Sequence, residues 1–260
     1  TRKISPALAA GCPIIVKPAE QTRLSALALG ELAGRAGVPA GVINILTADS
    51  TNSIEIGKVL CDSPVVRHLS FTGSNEVGRI LMSQCAPTVK KVALELGGHA
   101  PFIVFEDADI DAAVTGAMFA KYRNAGQACV AANRFYVHKK VHDQFVEKFA
   151  LATKAIKVGS GLEQGVTQGP LIDDQALAKV QKHIADAISK GAKVVTGGKV
   201  ANQGGTFFEP TVLANANNSM LVAYEETFGP VAPVIPFESD DERLLPFGHA
   251  LTESAVILGK

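Results

Sequence analysis

A chain of 260 residues has room for one large domain or parts of two. With 47% hydrophobic and 19% charged residues it is neither a disordered nor a fibrous composition. Its 25 basic and 25 acidic residues cancel, so it lacks the broad positive field of a non-specific nucleic-acid binder, although a small local basic site stays open.

Cys12, Cys61, Cys85 and Cys129 show neither the C-x-x-C spacing of a zinc site nor a compact disulfide framework. No metal is expected, and free thiols point to a reducing compartment. No apolar run approaches the ~20 residues that span a bilayer, so no membrane partner is expected. Arg2 and Lys3 precede a mildly apolar stretch, but its continuation IIVKPAEQT reads as a buried strand entering a loop rather than a signal peptide.

In chain order, a helical pattern over Ile4 to Ala10 leads into a buried strand at Ile14–Val16 and a turn at Pro18. Leu24, Leu27, Ala28, Leu32 and Ala33 recur at helical spacing, with Gly37 placed to stop the helix. A strand at Val42–Leu46, a short helix at Ile54–Leu60 and a strand at His68–Phe71 follow. Strands separated by helices of this length imply right-handed β-α-β units and a mainly parallel sheet, an α/β fold. After a strand at Val89–Leu94, the pattern restarts at Phe102–Phe105. Helices are expected over Asp109 to about Gly126, Val141–Ile156 and Asp173–Ser189. Strands near Arg134–Val137, Lys193–Val195 and Val231–Phe237 complete a second α/β unit. The boundary falls at the Gly97–Gly98 pair, giving units 1–97 and 98–240. From about Asp241 the rhythm is lost, leaving a divergent tail, 241–260. Both ends read as those of a piece of a longer protein.

Three segments carry candidate chemistry. Cys129 ends Asn124-Ala-Gly-Gln-Ala-Cys129, where Gly126 permits close backbone approach, and a thiol needs local help to act as a nucleophile at neutral pH. A small core residue is the bland reading of this cysteine and the only reading of the other three. Glu95 ends an apolar strand ahead of Gly97–Gly98; partial desolvation there would raise its pKa toward that of a general base. An exposed strand-end carboxylate explains it equally well. Phe71-Thr-Gly-Ser-Asn-Glu-Val-Gly78 reads as strand, glycine turn and helix start, which points N–H groups at an anion, yet such turns also arise from capping alone.

IVKPAEQT, FTGSNEVG, LELGGHAPFIVF, RNAGQACVAANR and EETFGP occur in the order seen in aldehyde dehydrogenases, and the resemblance covers residues 1 to about 240. Within that family the chain most resembles the succinate-semialdehyde type. The resemblance implies a partial Rossmann-type cofactor domain over 1–97 and a partial α/β catalytic domain over 98–240. It implies oxidation of a small aldehyde, one carrying a carboxylate, by NAD or NADP. Cys129 is then the thiol that attacks the aldehyde carbon, and Glu95 the base that activates water to hydrolyse the thioester. Lys17, Pro18, Ala19 and Glu20 would border the adenine-side ribose; Gly73, Ser74 and Gly78 the pyrophosphate; Glu226 and Phe228 the nicotinamide ribose. A carboxylate at Glu20 would repel a 2′-phosphate and so favours NAD, while Lys17 could attract one. Arg2 and Arg123 match arginines that hold the distal carboxylate of the substrate; otherwise they are surface arginines. The resemblance implies a place in the cytoplasm or mitochondrial matrix, and homo-oligomers among full-length relatives.

The resemblance has limits. The family's second oxyanion donor, an asparagine, lies upstream of Thr1, and a second cysteine common two residues after the nucleophile is replaced by Ala131. Exposed strand edges lead us to expect a poorly soluble or partly unfolded isolated chain. The alternatives are a truncated chain that catalyses little and, less compatible with the cofactor motifs, a thiol hydrolase.

Overall fold

The computed structural model describes residues 1–238 and the backbone of a strand at Val256–Leu258. Apart from that strand, the divergent tail lies outside the described residues. The chain divides into two compact units, Thr1–Leu96 and Gly97–Lys260.

The first unit opens with α1 (Ile4–Ala9), β1 (Ile14–Val16) and a 3₁₀ turn at Glu20–Thr22. Then come α2 (Arg23–Arg35), β2 (Ile43–Ile45), α3 (Ser50–Asp62), β3 (His68–Thr72), α4 (Asn75–Cys85) and β4 (Lys91–Glu95). The strands do not form one sheet: β1 pairs in parallel with β2, and β3 in parallel with β4. A two-stranded pair offers a narrow surface, and α2 beside β2 shows the result. Its expected leucine face is outward, with Leu24 72% and Leu32 56% exposed, and the helix has no buried residue. The face toward β2 is the small one, where a Cβ on Gly30 would stand 2.8 Å from Ile45. The buried apolar cluster here is Cys61, Leu69, Leu81 and Cys85.

The second unit contains β5 (Pro101–Val104), α5 (Ile110–Tyr122), β6 (Arg134–His138), α6 (Lys139–Lys154) and α7 (Asp174–Ser189). It continues through β7 (Lys193–Thr196), β8 (Thr211–Ala214), α8 (Leu221–Tyr224), β9 (Val231–Phe237) and β10 (Val256–Leu258). Its six-stranded sheet has the order β10-β5-β6-β9-β8-β7, parallel throughout except for β7 against β8. Side chains alternate across it with the period of two that a strand imposes. Phe102, Phe135, Val137, Val212 and Val234 join residues of α5 and α6 on one face. Ile103, Tyr136, Leu213 and Ile235 join Val180, Ile184 and Ala187 of α7 on the other. Covering both faces is what a parallel sheet requires. No helix among the described residues is long and apolar enough to cross a membrane.

Candidate active site

The thiol segment is built from the end of α5. Asp109 caps the helix start, accepting from the amides of Asp111 at 2.9 Å and Ala112 at 3.1 Å. The helix stops at Tyr122, whose hydroxyl donates to the Thr211 carbonyl at 3.0 Å, so it does not run on to Gly126 as the pattern suggested. Asn124 (φ 55°), Ala125 (φ 57°) and Gly126 (φ 71°) are all left-handed. For an L-residue that conformation costs roughly 1–2 kcal/mol, so surrounding contacts must enforce it. Gln127 supplies several: its Nε2 donates to the carbonyls of Asn124 and Pro170, both at 3.2 Å, and its Oε1 accepts from the Ile172 amide at 2.9 Å. Asn124 Nδ2 closes the turn on the Gln127 carbonyl at 2.9 Å. Half-buried Cys129, a free thiol, follows in the next turn. Sequence pattern gives no prominence to Asn124 or Gln127, because Gln127 acts through Pro170 and Ile172, far along the chain.

The EETFGP segment packs on this backbone. A Cβ on Gly126 would stand 2.2 Å from the Gly229 carbonyl oxygen, so glycine is required at position 126 for this approach as well as for its φ. Gly97 plays the same part for Glu226, whose Oε2 would lie 2.4 Å from a Cβ there, while its Oε1 accepts from the Gly98 amide at 3.1 Å. Thr227 is buried with its hydroxyl 3.0 Å from His183 Nδ1. His183 Nε2 lies 3.4 Å from Glu225, but burial lowers the pKa of this imidazole, so the contact is not an ion pair at neutral pH. Phe228 is left-handed (φ 52°) and partly exposed. Arg123 is exposed, with its guanidinium 5.8 Å from the Phe119 ring centroid.

In the first unit, Lys17 Nζ donates to Glu20 Oε1 and to Ser53 Oγ, both at 3.1 Å, and Ser53 Oγ donates to the same Glu20 oxygen at 2.7 Å. The Ser53 hydrogen bond above all, aided by Glu20's own backbone amide and Lys17, holds the Glu20 carboxyl down to about 2. A third of the Glu20 side chain remains exposed, so an anionic carboxylate can still accept from a ribose hydroxyl; this is the fit a cofactor needs. Pro18 and Ala19 lie in the extended link between β1 and the 3₁₀ turn. Ser74 caps α4 through the Val77 amide at 3.3 Å. The Gly73 amide donates to the Glu95 carbonyl at 3.0 Å, and Gly78 is buried where a Cβ would stand 2.6 Å from Leu96. These two glycines therefore have packing roles within the unit. Glu95 ends β4 with its side chain exposed, so the desolvation suggested by its sequence context is not present. Arg2 is exposed ahead of α1. Cys12 is exposed, against the core reading, whereas Cys61 and Cys85 follow it. Among the described residues, no group of three metal-ligating side chains occurs.

Comparison with known proteins agrees with these motifs. The family model described as the aldehyde dehydrogenase family matches residues 1–245, and the chain belongs to that family. A 3-sulfolactaldehyde dehydrogenase of Pseudomonas putida is 57% identical over 242 residues, covering 93% of this chain and 49% of that protein. A glutarate-semialdehyde dehydrogenase of Pseudomonas aeruginosa is 59% identical over 242 residues, covering 93% of this chain and 50% of its own length. The crystal structure of succinate-semialdehyde dehydrogenase from Burkholderia pseudomallei superposes with a TM-score of 0.96 at 55% identity, over all of this chain and 53% of that one. The chain thus spans about half the length of the curated relatives it matches.

Proposed function

We propose that this chain carries the thiol and cofactor-binding elements of an NAD(P)-dependent aldehyde dehydrogenase that converts succinate semialdehyde to succinate. The observation that carries the reading is the enforced left-handed turn at Asn124–Gly126, just ahead of Cys129, packed at Gly126 against Gly229 of the EETFGP segment. The Cys129 thiolate adds to the aldehyde carbon, forming a C–S bond and an oxyanion that the Cys129 amide stabilises. The bound nicotinamide cofactor supplies the hydride acceptor for this oxidation. Glu95 takes a proton from water, whose oxygen attacks the resulting thioester and expels the Cys129 thiolate. The balance is one aldehyde, one oxidised cofactor and one water giving one carboxylate, one reduced cofactor and two protons.

Lys17, Pro18, Ala19 and Glu20 would hold the adenine-side ribose, Gly73, Ser74 and Gly78 would border the pyrophosphate, and Glu226 and Phe228 would hold the nicotinamide ribose. The anionic Glu20 supports NAD over NADP, because it repels a 2′-phosphate and Lys17 is already engaged by it. An acid-bearing substrate is supported by the relatives, whose names denote aldehydes carrying a carboxylate or a sulfonate, and by Arg2 and Arg123, whose guanidinium groups suit such an anion.

The test is formation of reduced cofactor, read by absorbance, from succinate semialdehyde with NAD and with NADP. Activity that vanishes in Cys129→Ala supports the reading; folded protein with no turnover on either cofactor refutes it. A second reading, a chain that catalyses little, draws support from the four-residue buried cluster of the first unit.

A further inference from the structure

Lys121 lies in the last turn of α5, fully buried, and its Nζ has no hydrogen-bond partner among the described residues. A helix C-terminus favours a cation, but an exposed lysine would satisfy that preference without the desolvation this one suffers. A methionine would occupy similar space at no electrostatic cost, so the placement calls for a different explanation.

The surroundings supply it. A Cβ on Gly126 would stand 3.2 Å from the Lys121 carbonyl and 2.2 Å from that of Gly229, so the end of α5 and the EETFGP segment are held together at this glycine. From that segment Glu226 acts on the ammonium with an attractive charge. His99, in the stretch before β5, feels the charge of Lys121 and of Arg134 of β6, whose guanidinium donates to the His99 carbonyl, and interacts with His183 of α7. His99 and His183 are held neutral, chiefly by burial. The anion in this set that acts on Lys121 is Glu226.

We infer that Lys121 is a positioning residue for Glu226, its buried ammonium drawing that carboxylate to its seat against Gly97 and Gly98, from which it accepts from the nicotinamide-side ribose. The inference rests on the proposed role of Glu226 in holding that ribose. Burial pushes Lys121 down to about 7, with Glu226 opposing the shift, so the ammonium is lost as pH rises through neutrality. Cofactor binding should weaken over the same range.

The experiment titrates NADH fluorescence into the protein and its Glu226→Gln, Lys121→Met and doubly substituted variants, from about pH 6 to pH 9. Expected are losses of about tenfold in affinity for each single variant, little more for the double, and a flattened pH limb in Lys121→Met. The methionine variant should also melt at a higher temperature at pH 7, which separates lost positioning from lost folding. If Glu226→Gln weakens NADH binding while Lys121→Met leaves affinity and pH limb untouched, the inference falls and the role of Glu226 stands. If Glu226→Gln has no effect, the proposed ribose contact fails and the inference with it. A second measurement needs no cofactor and leaves Lys121 in place. In protein carrying ¹³C-lysine, the ε-carbon signal assigned by its absence in Lys121→Met should titrate lower still in Glu226→Gln; an unmoved midpoint overturns the coupling.

Discussion

The two units are built on the same β-α-β rhythm but bury very different amounts of it. In the second, a six-stranded sheet lies between a cluster shared with α5 and α6 and another shared with α7. In the first, two separate strand pairs leave a buried cluster of Cys61, Leu69, Leu81 and Cys85 and an outward row of leucines on α2. The difference teaches that local pattern sets the elements, whereas the number of strands joined edge to edge sets how much of each element can be covered.

The sharpest way to break this comparison is a core truncation in each unit. Phe149→Ala, at a fully buried position between α6 and the sheet, should cost about 3–5 kcal/mol in denaturant titrations. Leu69→Ala should cost less, about 2 kcal/mol, and equal losses would refute the contrast. Next comes Gly126→Ala, which meets both a left-handed φ and the Gly229 carbonyl; a loss of about 2 kcal/mol or more, read by the same titration, is expected.

A pH effect belongs to the second unit. Lys121 sits at about 7 when folded and near 10.5 when unfolded. Between those values the unfolded chain holds the extra proton, so stability should rise with pH across that window and the rise should vanish in Lys121→Met. Melting curves from pH 7 to about pH 10 check the sign. Smaller still are the caps: Asp109→Ala should cost about 1 kcal/mol in the second unit, and Asp49→Ala, which loses the Asn52 amide, a similar amount in the first. Hydrogen exchange at α5 and α3 assigns each loss to its unit. The smallest effect is expected for Leu24→Ser on α2, within about 0.5 kcal/mol; a large loss would mean that this exposed face is covered.

Much of the architecture was legible because buried strands and helices announce themselves by length and period. β1, β3, β6, β9 and α7 fall where the apolar runs put them. What failed was whatever depends on distant partners. The leucines of α2 recur at helical spacing yet lie outward, because periodicity records a stripe and not what is available to cover it. β8 escaped notice, a four-residue strand between Pro210 and left-handed Asn215 with no alternation outside it. The end of α5 was misread because Asn124 and Ala125 give little local sign of the left-handed turn that Gln127 enforces through Pro170 and Ile172, 43 and 45 residues away. At the candidate site, Cys129 and Glu95 were visible chiefly through resemblance, and Lys121 was hidden inside a helix whose other residues read as ordinary. Cys61 and Cys85 look unrelated in sequence, yet their sulfurs stand 3.5 Å apart.

Gln127 has a consequence for the chemical ageing of the protein. Its amide nitrogen faces two carbonyl oxygens and its amide oxygen faces a backbone N–H. Deamidation would change the side chain by one atom in shape and almost nothing in volume, yet it would set a carboxylate oxygen against the carbonyls of Asn124 and Pro170. The turn carrying Cys129 would then lose its clamp through a mass change of about one dalton. The thiol itself would be chemically untouched.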